Sequence, residues 1–320
     1  MVTVLLMLRL TCSLTLGNLL FPYVVSVEHE ATWQRLTDTC TIELPRKLYD
    51  REFKNRALKD MLKIGGKVNI ELGYNDRNDT VFSGFIRQVN PIIPVKIACE
   101  DAMWNLKQNN VTHQFPPGTK LKTIIEHIAP GVPNKVLDVD IGKYTIPEEW
   151  SAAKVLEDLK SSWGLQSFFR DGKLQVGLQY DPDYAVTKPF NFEQNIISHS
   201  LEFFTKENIR LNVEAISIGK DNKKTTVQVG DERGEKRTMH FYNLSTTELK
   251  AAAERELSRL KYDGYRGSFT TFGKPFVRHG DIVQLTDPTY DRSGKYWVDK
   301  VVRKFGTGGY RQEITLGAAV

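Results

Sequence analysis

Phe276-Val-Arg-His-Gly-Asp-Ile-Val-Gln-Leu285 opens a stretch that the chain states twice. It continues through a polar turn rich in Asp, Pro and Gly (287–294), the run Lys295-Tyr-Trp-Val-Asp-Lys-Val-Val302, and Tyr310-Arg-Gln-Glu-Ile-Thr-Leu316. Far upstream stand Leu62-Lys-Ile-Gly-Gly-Lys-Val-Asn-Ile-Glu-Leu72, a polar turn (75–79), Thr80-Val-Phe-Ser-Gly-Phe-Ile-Arg-Gln-Val89, and Val95-Lys-Ile-Ala-Cys-Glu100. Both stretches follow one plan: a strand entered through glycine, a polar hairpin, a second strand, a break and a third strand. A repeated supersecondary unit constrains architecture more firmly than any single element. The repeat predicts two related antiparallel β modules, with unrelated meanders as the alternative. In its sharpest form it places Gly66 on Gly280, Val68 on Ile282 and residues 95–99 on 312–316, in two modules that do not merge into one continuous sheet.

The chain has 320 residues, 40% hydrophobic and 26% charged, enough for two or three domains. Its net charge of +5 comes from interspersed charges, which describes a solvated surface rather than a polyanion-binding tail. Cys12, Cys40 and Cys99 lie far apart, none in a Cys-x-x-Cys, each on the apolar phase of an alternating run. Buried free thiols are expected, without a disulfide framework. The Asn-x-Ser/Thr triplets at Asn78, Asn110 and Asn243 carry no weight without a secretory context.

Residues 1–16 are apolar, but no basic segment precedes them, and Leu8, Leu10, Cys12, Leu14 and Leu16 alternate with Arg9, Thr11, Ser13 and Thr15. Residues 1–22 are therefore expected to be a leading strand or arm rather than a signal. No other segment approaches the ~20 apolar residues of a membrane span, so no membrane insertion is expected. Residues 23–104 read as the first β-barrel module. Runs 23–29 and 38–44 are strand-like, Pro45 ends the second, and 48–62 reads as a charged excursion with a short helix. Val68, Ile70 and Leu72 point one way while Lys67, Asn69 and Glu71 point the other. Closure into a small antiparallel barrel is expected because it removes exposed edges.

Residues 105–190 change character and predict an α+β insert. Pro116-Pro117-Gly118 reads as a break, and Thr119 as the cap of a helix whose Leu121, Ile124, Ile125 and Ile128 share one face before Pro130. A second helix starts at Ser151, turns Val155, Leu156, Leu159 and Trp163 inward and stops at Gly164. Arg170-Asp-Gly-Lys173 between alternating runs predicts a tight hairpin. Residues 191–320 read as the second module, with strands at 209–218 and 225–230 across an Asp221-Asn222 turn. Ser245-Thr-Thr-Glu248 is a capping box opening a helix at 245–262, with Leu249, Ala253, Leu257 and Leu260 as its apolar stripe. The fold class is mainly β: two related antiparallel barrel modules flanking a helix-containing insert.

An enzyme needs acids, bases or ligands that converge. The chain has no Gly-x-Ser-x-Gly, no Gly-x4-Gly-Lys-Ser/Thr, no His-Glu-x-x-His and no Cys/His cluster. His29, His113, His127, His199, His240 and His279 are scattered singly, and a lone His127 beside Glu126 reads as a surface or interface residue. Glu148 and Glu149 complement a helix N-terminus, and 306–309 reads as a turn between strands, not a nucleotide loop. The aromatic runs 201–204 and 267–273 read as buried core rather than stacking platforms. No catalytic, cofactor-binding or metal-ligating residue is nominated, and the chain is expected not to be an enzyme. The rivals are a carbohydrate-active β enzyme, which needs converging carboxylates, and a β-barrel nucleic-acid binder, which needs salt-dependent affinity.

Gly84-Phe-Ile86 with 95–106, the helix-hairpin 155–160 with 164–174, and Phe190-Asn-Phe-Glu-Gln-Asn-Ile-Ile197 resemble the phage late control gene D family. These are the baseplate hub proteins of contractile tails, related to the base of type VI secretion spikes. The resemblance spans roughly residues 23–320 and rests on pattern and topology. It implies tube-type barrels, two per chain, with three chains forming a pseudo-sixfold ring between a hexameric tail tube and a trimeric spike. A homotrimer with tube and spike proteins as partners is then expected. DNA or other cargo would pass the channel without sequence-specific binding. The protein would be made in the bacterial cytoplasm and sit in the virion baseplate. The chain stops after its last strand without a fused spike, so a separate spike partner is expected. Lys67, Asn69 and Glu71 would face either the channel or the outer solvent. A hub of a type VI or related injection device is the alternative.

Overall fold

The computed structural model describes residues 8–45 and 62–320. Strands β1 (Leu10–Leu16), β2 (Leu19–Phe21), β3 (Ser26–Thr32) and β4 (Thr39–Leu44) lead into a meander of β5 (Lys67–Tyr74), β6 (Arg77–Asn90) and β7 (Val95–Glu100). Then come α1 (Met103–Gln108), β8 (Asn110–Lys120), α2 (Leu121–Ile128), β9 (Asn134–Val136), β10 (Asp140–Ser151), α3 (Ala152–Trp163), β11 (Gln166–Arg170) and β12 (Lys173–Gly177). The remainder runs β13 (Thr187–Asn191), β14 (Ile196–His199), β15 (Glu202–Phe204), β16 (Leu211–Ile218), β17 (Lys224–Gly230), β18 (Glu235–Tyr242) and α4 (Thr246–Leu260). It ends on β19 (Gly264–Arg266), β20 (Ser268–Phe272), β21 (Ile282–Asp287), β22 (Arg292–Gly306) and β23 (Gly309–Ala319). The fold is mainly antiparallel β. The short helix expected within 48–62 falls on residues outside those described, apart from Leu62.

The first half pairs in the order β1-β5-β6-β7-β4-β3, and the second in the order β13-β21-β22-β23-β20-β14. Place for place these are the same sequence of strands, antiparallel throughout except that β13 runs parallel to β21. Each half has its own core. Leu14, Leu16, Ile42, Ile70 and Ile97 centre the first, and Phe190, Phe269, Val283, Leu285 and Ile314 the second. The leading strand forms as β1, which pairs with β5 from Val68 to Tyr74, buries Leu14 and Leu16 and carries the short β2 on its other edge, so it belongs to the first module.

One expectation about this sheet is overturned, that the two modules do not merge. The halves are not separate: among the described residues β22 pairs with β3, making one continuous 13-stranded sheet. The cause is strand length. β22 has 15 residues, and only 292–297 pair with β21. Its second half offers a free edge, which β3 takes over seven residue pairs from Lys300↔Thr32 to Gly306↔Ser26. Edges are thus satisfied by the neighbouring module.

The alignment of the halves is also one residue off on the first strand. Gly65 N–H donates to the Ile86 carbonyl and Ile86 N–H to Gly66; Gly280 N–H donates to Val298 and Val298 N–H to Asp281. Gly65 (φ 79°) and Gly280 (φ 76°) share the left-handed conformation that glycine adopts without strain. Gly65 is therefore the counterpart of Gly280, and Val68 of Val283. Val68 and Val283 are both buried, whereas Ile282 is only half-buried. A β-bulge follows in each copy, at Arg87 and at Asp299. The third strands agree as expected, since Cys99 pairs with Ile86 as Leu316 pairs with Val298, and Ile97 with Val89 as Ile314 with Val301.

The insert packs around Ile124, Ile125, Val155, Leu156, Leu159 and Trp163. α3 is capped by the Ser151 hydroxyl, accepting from Lys154 N–H, and ends at Gly164 in the left-handed conformation. Asp171 and Gly172, both at positive φ, make the expected hairpin between β11 and β12. α2 buries the four predicted residues, but Lys120 is its N-cap and the Thr119 hydroxyl instead donates to the Pro116 carbonyl. The Pro-Pro-Gly run does not end the strand; it lies within β8, irregularly paired with β10. β10 and α1 were not legible in the sequence. Strands β16, β17 and β18 form a separate sheet under α4, with Val213, Ala215, Leu249 and Ala253 between them, instead of belonging to the second barrel-like half. The capping box of Ser245 and Glu248 is formed.

Candidate functional site

The pairing β22–β3 fixes two faces at the centre of the molecule. Paired residues of an antiparallel ladder share a face. Val301 with Ala31, Arg303 with His29 and Phe305 with Val27 point inward. Lys300 with Thr32, Val302 with Glu30 and Lys304 with Glu28 point the other way. The second set continues across both halves. Thr41, Ala98 and Gln88 extend it toward β6 and β5, where Lys67, Asn69 and Glu71 stand in phase, and Arg311, Glu313 and Thr270 extend it toward β20.

Most of this face is polar or charged; Phe85 beside Lys67, Phe272 beside Arg311, and Val302 are its large apolar side chains. Its charges of both signs interleave: Glu28 lies beside Lys304, Glu43 beside Lys96, and Arg311 beside Lys304 and near Glu313. Short polar groups bridge strands, with Ser26 donating to Glu43 (2.8 Å), Ser83 to Asn69 (2.7 Å) and Ser268 to Glu313 (3.0 Å). Mixed charge gives a surface without a strong field of one sign, so it neither attracts nor repels a polyanion over long range.

The inward face at the same junction is polar in an otherwise apolar interior. Arg303 is 1% exposed. Its guanidinium lies 4.3 Å from the centre of the Phe276 ring and donates to the Val277 carbonyl and to His29 Nδ1 (3.0 Å), which must accept because arginine only donates. Burial, then the Arg303 charge, holds the His29 pKa well below its ordinary value. Burial, with Arg170 and Arg303, lowers His279 to about 3. Opposite them, burial pushes the Asp101 carboxyl up to about 7. Burial and the nearby Asp101 raise Asp38 as well. Asp101 accepts from Met103 N–H (3.0 Å) and Asp38 N–H (3.3 Å), and Asp38 accepts from Thr32 N–H (3.1 Å). The cluster thus ties β3, the turn before β4, and α1 to the junction strand. A cleft of about 430 Å³ opens between it and the hairpin at 169–172.

The histidines are not all isolated, as their spacing in the sequence implies. His29 and His279 face the same arginine, and the rings of His113 and His127 lie 4.4 Å apart. No group of His, Cys, Asp or Glu among the described residues is placed to hold a metal ion. Cys40 and Cys99 are free, buried and directly paired across β4 and β7. Burial raises the Cys99 thiol to about 12, which keeps it protonated and unreactive. The segment 306–309 is a β-hairpin turn. Leu201 and Phe269 are core as expected, whereas Phe272 is exposed.

No protein-family model and no curated protein matches the sequence. Solved structures do match. A tail protein from Neisseria meningitidis MC58 superposes with a TM-score of 0.66 at 14% identity, covering 96% of each chain. The fold is that of a tail protein. A tail protein of prophage MuSo2 from Shewanella oneidensis matches equally well, at TM-score 0.66 and 13% identity over 97% of each chain. An E. coli component of the type VI secretion system, itself described as similar to bacteriophage T4 tail proteins, matches 95% of this chain and 76% of its own at TM-score 0.58 and 10% identity. No helix among the described residues is long and apolar enough to cross a membrane.

Proposed function

We propose that this chain is the structural hub of a contractile tail baseplate, in which three copies close a ring of six similar modules between a sixfold tail tube and a threefold spike. One observation carries the reading: two halves with the same strand order, joined edge to edge in one sheet. A doubled module turns threefold into near-sixfold symmetry, which a joint between a hexamer and a trimer needs. The continuous polar face then becomes the channel lining, with Lys67, Asn69, Glu71, Glu28 and Lys304 facing the lumen. Its interleaved charges suit passage of DNA or other cargo without sequence-specific binding. A spike protein and the tail tube are the partners, and the protein resides in the assembled tail. The fold similarity to a type VI component favours one second reading, a hub of a secretion or related injection device.

Light scattering on the purified protein, alone and with its cognate spike, tests this. Three chains per particle are expected in at least one condition. A monomer or dimer in both contradicts it.

A further inference from the structure

The junction between the halves has an unfilled counterpart. From the register equivalences, Ile86 corresponds to Val298 and Gln88, Val89 and Asn90 to Lys300, Val301 and Val302. Likewise β3 corresponds to β14 with β15: Val27 pairs with Ile42 as His199 pairs with Phe269, and Glu30 with Thr39 as Glu202 with Arg266. In the chain, the β3 edge of the first half meets the β22 edge of the second. The edges left over are the β6 edge of the first half and the β14–β15 edge of the second. Among the described residues neither has a strand on that side.

Exposure marks the same two edges. At the filled junction Val301 is 0% and Ala31 5% exposed. Their counterparts Val89 and Phe203 are half-buried, and Ile93 just beyond β6 (71%) and Ile197 on β14 (45%) are among the large apolar side chains left in solvent. Unpaired strand edges flanked by exposed apolar residues template pairing with another chain.

We infer that the β14–β15 edge of one copy pairs with the end of β6 in the next copy, Glu202 opposite Asn90 and Phe203 opposite Val89, repeating between chains the β3–β22 junction seen within one. The two edges differ and are complementary, so the contact is head-to-tail and generates a ring when its rotation closes. This deepens the hub reading and rests on it for the number of copies, while the pairing itself rests on register alone.

Cysteines at Asn90 and Glu202 test it. Residues opposite each other on antiparallel strands have Cα atoms about 4.5–5.5 Å apart, within disulfide range. Both positions are exposed, so N90C and E202C are expected to fold; the native Cys40 and Cys99 are buried, and the half-buried Cys12 is replaced by C12S in every variant. Oxidation of the double variant is expected to give a covalent ladder ending at the trimer, and an equal mixture of the two single variants a heterodimer. An off-register pair, N90C with H199C, is expected to give neither. A ring by light scattering without the ladder overturns this pairing and leaves the hub standing. The absence of both ring and ladder overturns both.

Discussion

At the scale of single residues, burial phase decides what each substitution does. Val283→Asp puts a charge where the side chain is 0% exposed and packs with Leu285 and Phe190, and is expected to cost on the order of 3 kcal/mol or more. Ile282→Asp, on the half-buried face, is expected to cost clearly less; thermal melts of the two variants check this, and equal losses contradict the Val68–Val283 equivalence. The sequence misaligned these positions because both alternatives present a β-branched residue after glycine, and only the hydrogen bonds of Gly65 and Gly280 choose between them. Asp101 gives a pH signature. Its folded pKa of about 7 lies above the ordinary carboxyl value of 3.8, so its contribution to stability is full below about 4 and is lost as pH rises through 7. His279 works in the opposite sense, with a lowered pKa whose contribution is present above about 6.5 and lost toward acid. Asp101→Asn is therefore expected to raise the melting temperature relative to the wild type more near neutral pH than near pH ~4. A difference that does not move with pH contradicts the assignment.

At the scale of elements, local signals were legible where a specific backbone need selects a residue. Ser151 and Gly164 bracket α3, Ser245 and Glu248 start α4, and Asp171-Gly172 turns the hairpin. Gly164→Ala is expected to destabilise by about 1–2 kcal/mol from its left-handed φ alone, and by more because the added Cβ would lie 2.3 Å from the His240 ring. Ser245→Ala is expected to cost about 1 kcal/mol by removing the capping box. Urea unfolding of both variants checks the order, and a smaller loss at Gly164 contradicts it. β10 escaped the sequence reading because Pro147, Glu148 and Glu149 interrupt its alternation and its partner β8 contains two prolines. Pairing across bulges leaves no period-two trace. The sheet of β16 to β18 was placed in the wrong body for a related reason. Its strands alternate like any others, and only their packing against Leu249 and Ala253 shows where they belong.

At the scale of the whole molecule, the repeat was legible and the junction between its two copies was not. Three strands of each half carry recognisable sequence, whereas pairing between β3 and β22 joins segments 274 residues apart at His29 and Arg303 and leaves no local mark. The junction's buried polar cluster was invisible for the same reason, since its members come from four separate stretches of chain. A balanced polar lining predicts weak, non-specific contact with DNA: a Kd no tighter than about 10⁻⁴–10⁻⁶ M at physiological salt by fluorescence anisotropy, with nanomolar binding contradicting it. The claim on which the account stands is that one junction, seen once within the chain, recurs between chains. Electron microscopy of the assembled particle tests it most directly. The account predicts a threefold ring of six similar modules in one continuous strand wall, with Lys67, Glu71 and Lys304 toward the lumen. A closed ring with that face outward, or an assembly in which β6 and β14 stay unpaired, would contradict it.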